Sequence, residues 1–172
     1  MTRRYDSVLA DVLGGAAGGL VGGLAVSALL AAKTVALHEP AGELAVIRRR
    51  ALDRLHRPHR RERARSDRAE EAAGHGWHLL LSVGLGAAYG LVRRRIPGPP
   101  AAAGALFGLG FLPVAYGVAG PALGLTEPLW EEAVPVQAQR TLVHALFGAL
   151  TGLVTELAAE RVHPFETHEQ PG

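Results

Sequence analysis

Cysteine is missing from this 172-residue chain. Its absence excludes disulfides, thiolate metal sites, iron–sulfur clusters, covalently attached haem and cysteine nucleophiles together. A second absence is local. Residues 12–32, 79–92, 96–126 and 141–155 contain no Asp, Glu, Lys or Arg. Those stretches hold 81 residues, and the other 91 carry all 34 charges. Even mixing would place about 16 charges inside them. A water-soluble core interleaves charged and apolar positions at helical or strand period, whereas these blocks are segregated. Nothing alternates with period two over about 10 residues, which disfavours a β-barrel. The reading is an all-α integral membrane protein.

A helix needs about 20 apolar residues to cross a hydrocarbon layer roughly 30 Å thick. Four spans are expected, at 12–32, 74–92, 101–120 and 140–159, packed as a small bundle in a single membrane domain covering 1–172. An Arg-rich loop, 33–73, separates the first two, and a tail follows at 160–172. Arg3 and Arg4 before the first span suit a signal peptide. That apolar run is longer than a signal core and more spans follow, so it reads as a retained helix. Trp77 suits a membrane interface, and Pro113 is expected to kink the third span.

Glycines at 14, 18 and 22 recur every four residues, as do Gly104 and Gly108. Such spacing lets another helix backbone come close. A phosphate-binding glycine loop would need a preceding strand, and none is present. Helix packing is therefore the expected role, with self-association of copies through the first span. The second span carries a polar stripe of His75, His78, Ser82, Gly86 and Tyr89, and the fourth carries Thr141, His144, Gly148, Thr151 and Thr155. Polar groups are costly in lipid, so both stripes should turn inward, toward each other or toward the first span's glycines.

Four spans put the Arg-rich loop and the 126–140 loop on one side, with both termini on the other. Lys and Arg number 12 on the first side and six on the second, which makes the Arg-rich loop cytoplasmic. Arg93, Arg94 and Arg95, abutting the second span, argue for the reverse. Residues 48–68 hold 10 Arg against three acids, among them Arg48, Arg49, Arg50, Arg60 and Arg61. Leu44, Ile47, Ala51, Leu52 and Leu55 recur at helical spacing beside them. A basic amphipathic helix on anionic lipid headgroups explains the pattern. Nucleic acid is the rival partner, but no aromatic residue for stacking lies between 41 and 72. Membrane lipids are the expected partner and nucleic acid is not.

Among candidate chemistries, His78 and His144 begin two spans from the same side and lie at similar depth. With Glu127, Glu131 and Glu132 they could relay protons, since histidine titrates near pH 6.5. His75, His78 and His144 are the candidate metal ligands, and two histidines on separate helices could bind a b-type haem. His75 and His78 lack the i, i+4 spacing of helical zinc pairs. Hydrogen bonding between helices is the first expectation for these groups, proton or solute handling the second, and metal or haem the last. No cofactor is expected. Ion pairing is the simple role for Glu156 and Glu160 beside Arg93, Arg94 and Arg95. No serine sits in a strand–turn–helix elbow, and enzymatic chemistry is not expected.

His78-Leu-Leu-Leu-Ser82 with Gly86 and Tyr89-Gly90 resembles the second helix of the YagU-like bacterial inner-membrane proteins. The Gly124-Leu-Thr-Glu-Pro128 segment with Trp130 and Glu131 resembles their loop, and His144 and Glu156 fit their last helix. The resemblance covers about residues 75–160. It is similarly close to other small families whose last helix reads His-x-x-x-Gly-x-x-x-Gly, here His144, Gly148 and Gly152. This chain departs in its Arg-rich, cysteine-free first loop and in a longer His144-to-Glu156 spacing. The resemblance implies a multi-pass protein of the bacterial inner membrane, without established enzymatic activity. A structural or envelope-stress role is the expected function. The alternative is a proton or small-solute channel or transporter lined by His78, Ser82, Tyr89, His144 and Thr151.

Overall fold

The long charge-free segments become long helices. The computed structural model describes residues 2–37 and 67–162, all helix and connecting turns with no strand among them. Helix α1 is Thr2–Leu37 and α2 is Asp67–Val92. Helix α3 is Pro100–Pro113, continued by a π-helical stretch Val114–Ala119 and a last turn Gly120–Ala122. Helix α4 is Val134–Val162. Each helix extends beyond the apolar segment that predicted it. The Arg-rich candidates Arg48, Arg49, Arg50, Arg60 and Arg61, with the amphipathic helix expected around them, lie outside the described residues.

Three described helical segments are long and apolar enough to cross a membrane: Val8–Lys33, Pro100–Ala122 and Val134–Arg161. Helix α2 has the length, at 26 residues. Its hydropathy is diluted by charges in its first turns and by His75 and His78.

The connections explain where the helices stop. A 3₁₀ turn, Arg93–Arg95, ends α2, and Gly98 follows with φ +111°, a backbone conformation that glycine adopts without a Cβ clash. Pro100 then opens α3, where its missing N–H costs nothing. Pro113 lies inside this helix, and a six-residue π-helical stretch follows it directly.

Helix contacts run in the order α2–α1–α4–α3, with α1 packed against both α2 and α4. The glycine doublets of α1 create this arrangement. Neighbouring helix positions point about 100° apart, so 14-15, 18-19 and 22-23 present two grooves. Gly15, Gly19 and Gly23 pack on Gly86 and Ser82 of α2, while Gly14, Gly18 and Gly22 pack on Ala158, Thr155, Thr151 and Phe147 of α4. Gly104 and Gly108 of α3 sit against Gly148 and His144 of α4. In most of these contacts an added Cβ would strike a facing carbonyl, so the backbones touch directly. The glycines expected to join copies are thus occupied within one chain.

Burial is inverted relative to a water-soluble bundle. The interior contains Ser27, Ser82, Thr151 and Thr155 beside only a few large apolar side chains, such as Tyr89 and Phe147. Leucines face outward along the whole length, among them Leu13, Leu20 and Leu24 on α1, Leu80 and Leu91 on α2, Leu106 on α3, and Leu142 and Leu153 on α4. Lipid tails supply the apolar surroundings that water cannot, and small residues let the helices approach inside. The molecule is therefore a helical membrane protein.

Candidate functional site, a cavity between the helices

The two polar stripes are buried in part, with Thr141 exposed, and α1 separates Ser82 and Gly86 from Thr151 and Thr155. Ser82 and Gly86 of α2 pack on α1 from one side, and Thr151 and Thr155 of α4 pack on it from the other. The threonine hydroxyls donate back along their own helix, Thr151 Oγ1 to the Phe147 carbonyl at 2.8 Å and Thr155 Oγ1 to the Thr151 carbonyl at 2.6 Å. Neither side chain has any exposure. Here the interior is a closed seam.

Helices α2 and α3 meet through Tyr89, whose ring lies edge-on to Phe107 at 5.3 Å. Toward the start of α2 and α4 the helices form a half-open cavity of about 250 Å³. All four contribute: Val26 and Leu30 from α1, His78, Ser82 and Leu85 from α2, Phe111, Ala115 and Tyr116 from α3 and its π-helical continuation, and Arg140, His144 and Phe147 from α4. Thr126 and Gln139 complete the polar part of the wall.

Among the expected seam residues, the structure brings His78, Ser82 and His144 to this cavity, and Tyr89 and Thr151 lie outside its lining. His78 Nδ1 and Ser27 Oγ share a hydrogen bond of 3.1 Å, joining α2 to α1. His144 Nδ1 donates to the Arg140 carbonyl at 2.8 Å. Its ring stacks beside Phe111 and meets Tyr116 edge-on, with centroids 6.5 and 5.5 Å away. Among the described residues, no cluster of three His, Asp or Glu could hold a metal ion.

Two site residues escaped sequence reasoning. Arg140 is 7% exposed, with its guanidinium 4.2 Å above the centre of the Tyr116 ring and Nη2 2.9 Å from Glu132. It ties the loop before α4 to the π-helical stretch. The only hint was one cation standing immediately before a charge-free run. Thr126 follows Gly124, whose φ of +62° turns the chain back over Gly120. Thr126 Oγ1 is buried without a hydrogen-bond partner among the described residues. An unmatched polar atom beside a cavity is costly unless something else bonds it.

The opposite end of the molecule holds an ionic lock. Arg93 Nε bonds Asp11 Oδ1 at 3.0 Å, Arg94 Nε bonds Asp11 Oδ2 at 2.7 Å, and Arg93 Nη1 pairs with Glu156. The ends of α1, α2 and α4 are fastened together. Burial opposes the charge on Arg93, yet Asp11 and Glu156 outweigh it and raise its pKa above that of a free guanidinium.

Compared with known proteins, the chain matches no protein family, no curated protein and no solved structure.

Proposed function

We propose that this is a four-span protein of the bacterial inner membrane, with α2 as the fourth span, which holds a small lipid-soluble molecule in the cavity between its helices. The cavity carries the reading: its wall is mostly apolar, with a few polar groups, the usual make-up of a small-molecule site. Its neighbour, the π-helical stretch bearing Ala115 and Tyr116, adds support because such stretches recur at functional sites. Trp77 and Trp130, 50% and 68% exposed, suit the membrane–water interface.

A proton or solute pathway has less support. Beyond Ser82 the stripes give way to Tyr89 against Phe107 and to threonines bonded to their own helix, so no continuous polar route follows from these residues. A purely structural role accounts for the glycine seams and leaves the cavity unexplained. Association between copies, if it occurs, would use a surface other than the α1 glycines. The YagU-like resemblance remains a proposal consistent with a four-span bundle.

The test fills the cavity. Ala115→Leu adds three carbons to its wall. Thermal unfolding in lipid nanodiscs should show stabilisation of the native protein by small lipid-soluble aromatics and none for the variant. Equal responses would contradict a ligand site at this place.

A further inference from the structure

Which molecule the cavity takes can be argued from its charge, its unmet hydrogen bonds and its shape, on the basis that it is a ligand site. Among the described residues, the side chain in the wall with a fixed full charge is Arg140, which is already paired with Glu132 and lies over Tyr116. An acid entering the cavity would compete with Glu132 for the guanidinium. An amine would meet the guanidinium itself. Either charge would also leave the headgroup layer for an apolar wall, which is costly without a dedicated partner.

The hydrogen-bonding groups point to an uncharged oxygen. Thr126 Oγ1 is buried with no hydrogen-bond partner among the described residues, and a hydroxyl can donate or accept. His78 spends Nδ1 on Ser27, which leaves Nε2 as the second polar atom of a ring lining the cavity. A ligand hydroxyl or carbonyl oxygen suits either group. The wall adds aromatic rings from Phe111, Tyr116 and Phe147, beside which a planar ring packs well. The volume equals about eight waters at ~30 Å³ each. That admits one or two fused rings. We infer that the cavity binds an uncharged aromatic or quinoid ring bearing a hydroxyl or carbonyl oxygen, the chemistry of phenols and quinones, with the oxygen at Thr126 or His78.

An isosteric probe series separates this inference from the cavity reading beneath it. Naphthalene, 1-naphthol, 1-naphthoate and naphthalen-1-ylmethylammonium are titrated against the full chain in nanodiscs, with affinity expressed against the probe concentration in the lipid. 1-Naphthol should bind about five- to tenfold more tightly than naphthalene, the increment of one hydrogen bond. Both charged probes should bind more weakly than naphthalene. Thr126→Val or His78→Phe should remove the preference for naphthol and keep naphthalene affinity. Equal binding of naphthol and naphthalene, or tightest binding of naphthoate, overturns the ligand class while the cavity still binds. No binding by any of the four probes overturns the cavity reading itself.

Discussion

Asp11 is 5% exposed on a helix whose next 21 residues carry no charge. Its carboxylate holds two arginines from the far end of α2, and one of these also reaches Glu156. Removing one partner of a buried pair costs about 3–5 kcal/mol. Arg94 is 61% exposed, so water screens its share. Asp11→Ala should therefore destabilise by about 2–3 kcal/mol in thermal unfolding. Glu156→Gln should cost under about 1 kcal/mol, because the Glu156 side chain is 39% exposed and Arg93 keeps Asp11. The sequence suggested pairing for Glu156 and the three arginines. Asp11 was legible only as the boundary of an apolar run, since sequence does not show which helix ends converge. Thr151 supplies the contrasting residue. Its hydroxyl is satisfied within its own helix, so Thr151→Val should alter stability by less than about 1 kcal/mol. Thr151→Leu should destabilise much more, because the site has no room.

At the scale of helices, glycine position decides how closely they approach. Gly19 lies on a backbone carbonyl of α2, whereas Gly84 faces open space. Gly19→Ala should push α1 from α2 and cost more than about 2 kcal/mol. Gly84→Ala should be neutral or stabilising by up to about 1 kcal/mol, the helix-propensity gain. Parallel unfolding curves distinguish contact from propensity, because both changes add one methyl group to a helix. The four-residue glycine spacing was visible in the sequence. Its double use was not, because reading one residue from each doublet reveals one groove, and the second appears only once α1 is known to lie between two partners. Of the stripes on α2 and α4, Ser82, Tyr89, Thr151 and Thr155 are buried and Thr141 is exposed. The stripes' meeting only near His78, Ser82 and His144 follows from the position of α1, which no single-helix pattern contains.

On the scale of the whole molecule, the described residues buried between the helices include Ser27, Ser82, Thr151 and Thr155, while many leucines face outward. Segregated charge made this legible from the sequence, because only a hydrocarbon surrounding tolerates such blocks. The cavity was not legible. It depends on a π-helical stretch after Pro113 and on a loop that folds Thr126 over Gly120, both products of packing in three dimensions. Because the chain lacks cysteine, single cysteines can report on the outward leucines directly. Leu20, Leu106 and Leu153 are 41%, 58% and 43% exposed on the protein surface. Each is replaced by cysteine and treated, in intact membranes, with a water-soluble maleimide, alongside a control at Arg95. The account predicts that the three thiols stay unlabelled until detergent and denaturant are added, while Cys at 95 labels when its side of the membrane is open. Rapid labelling of all three in intact membranes would mean that water surrounds these helices, contradicting the account.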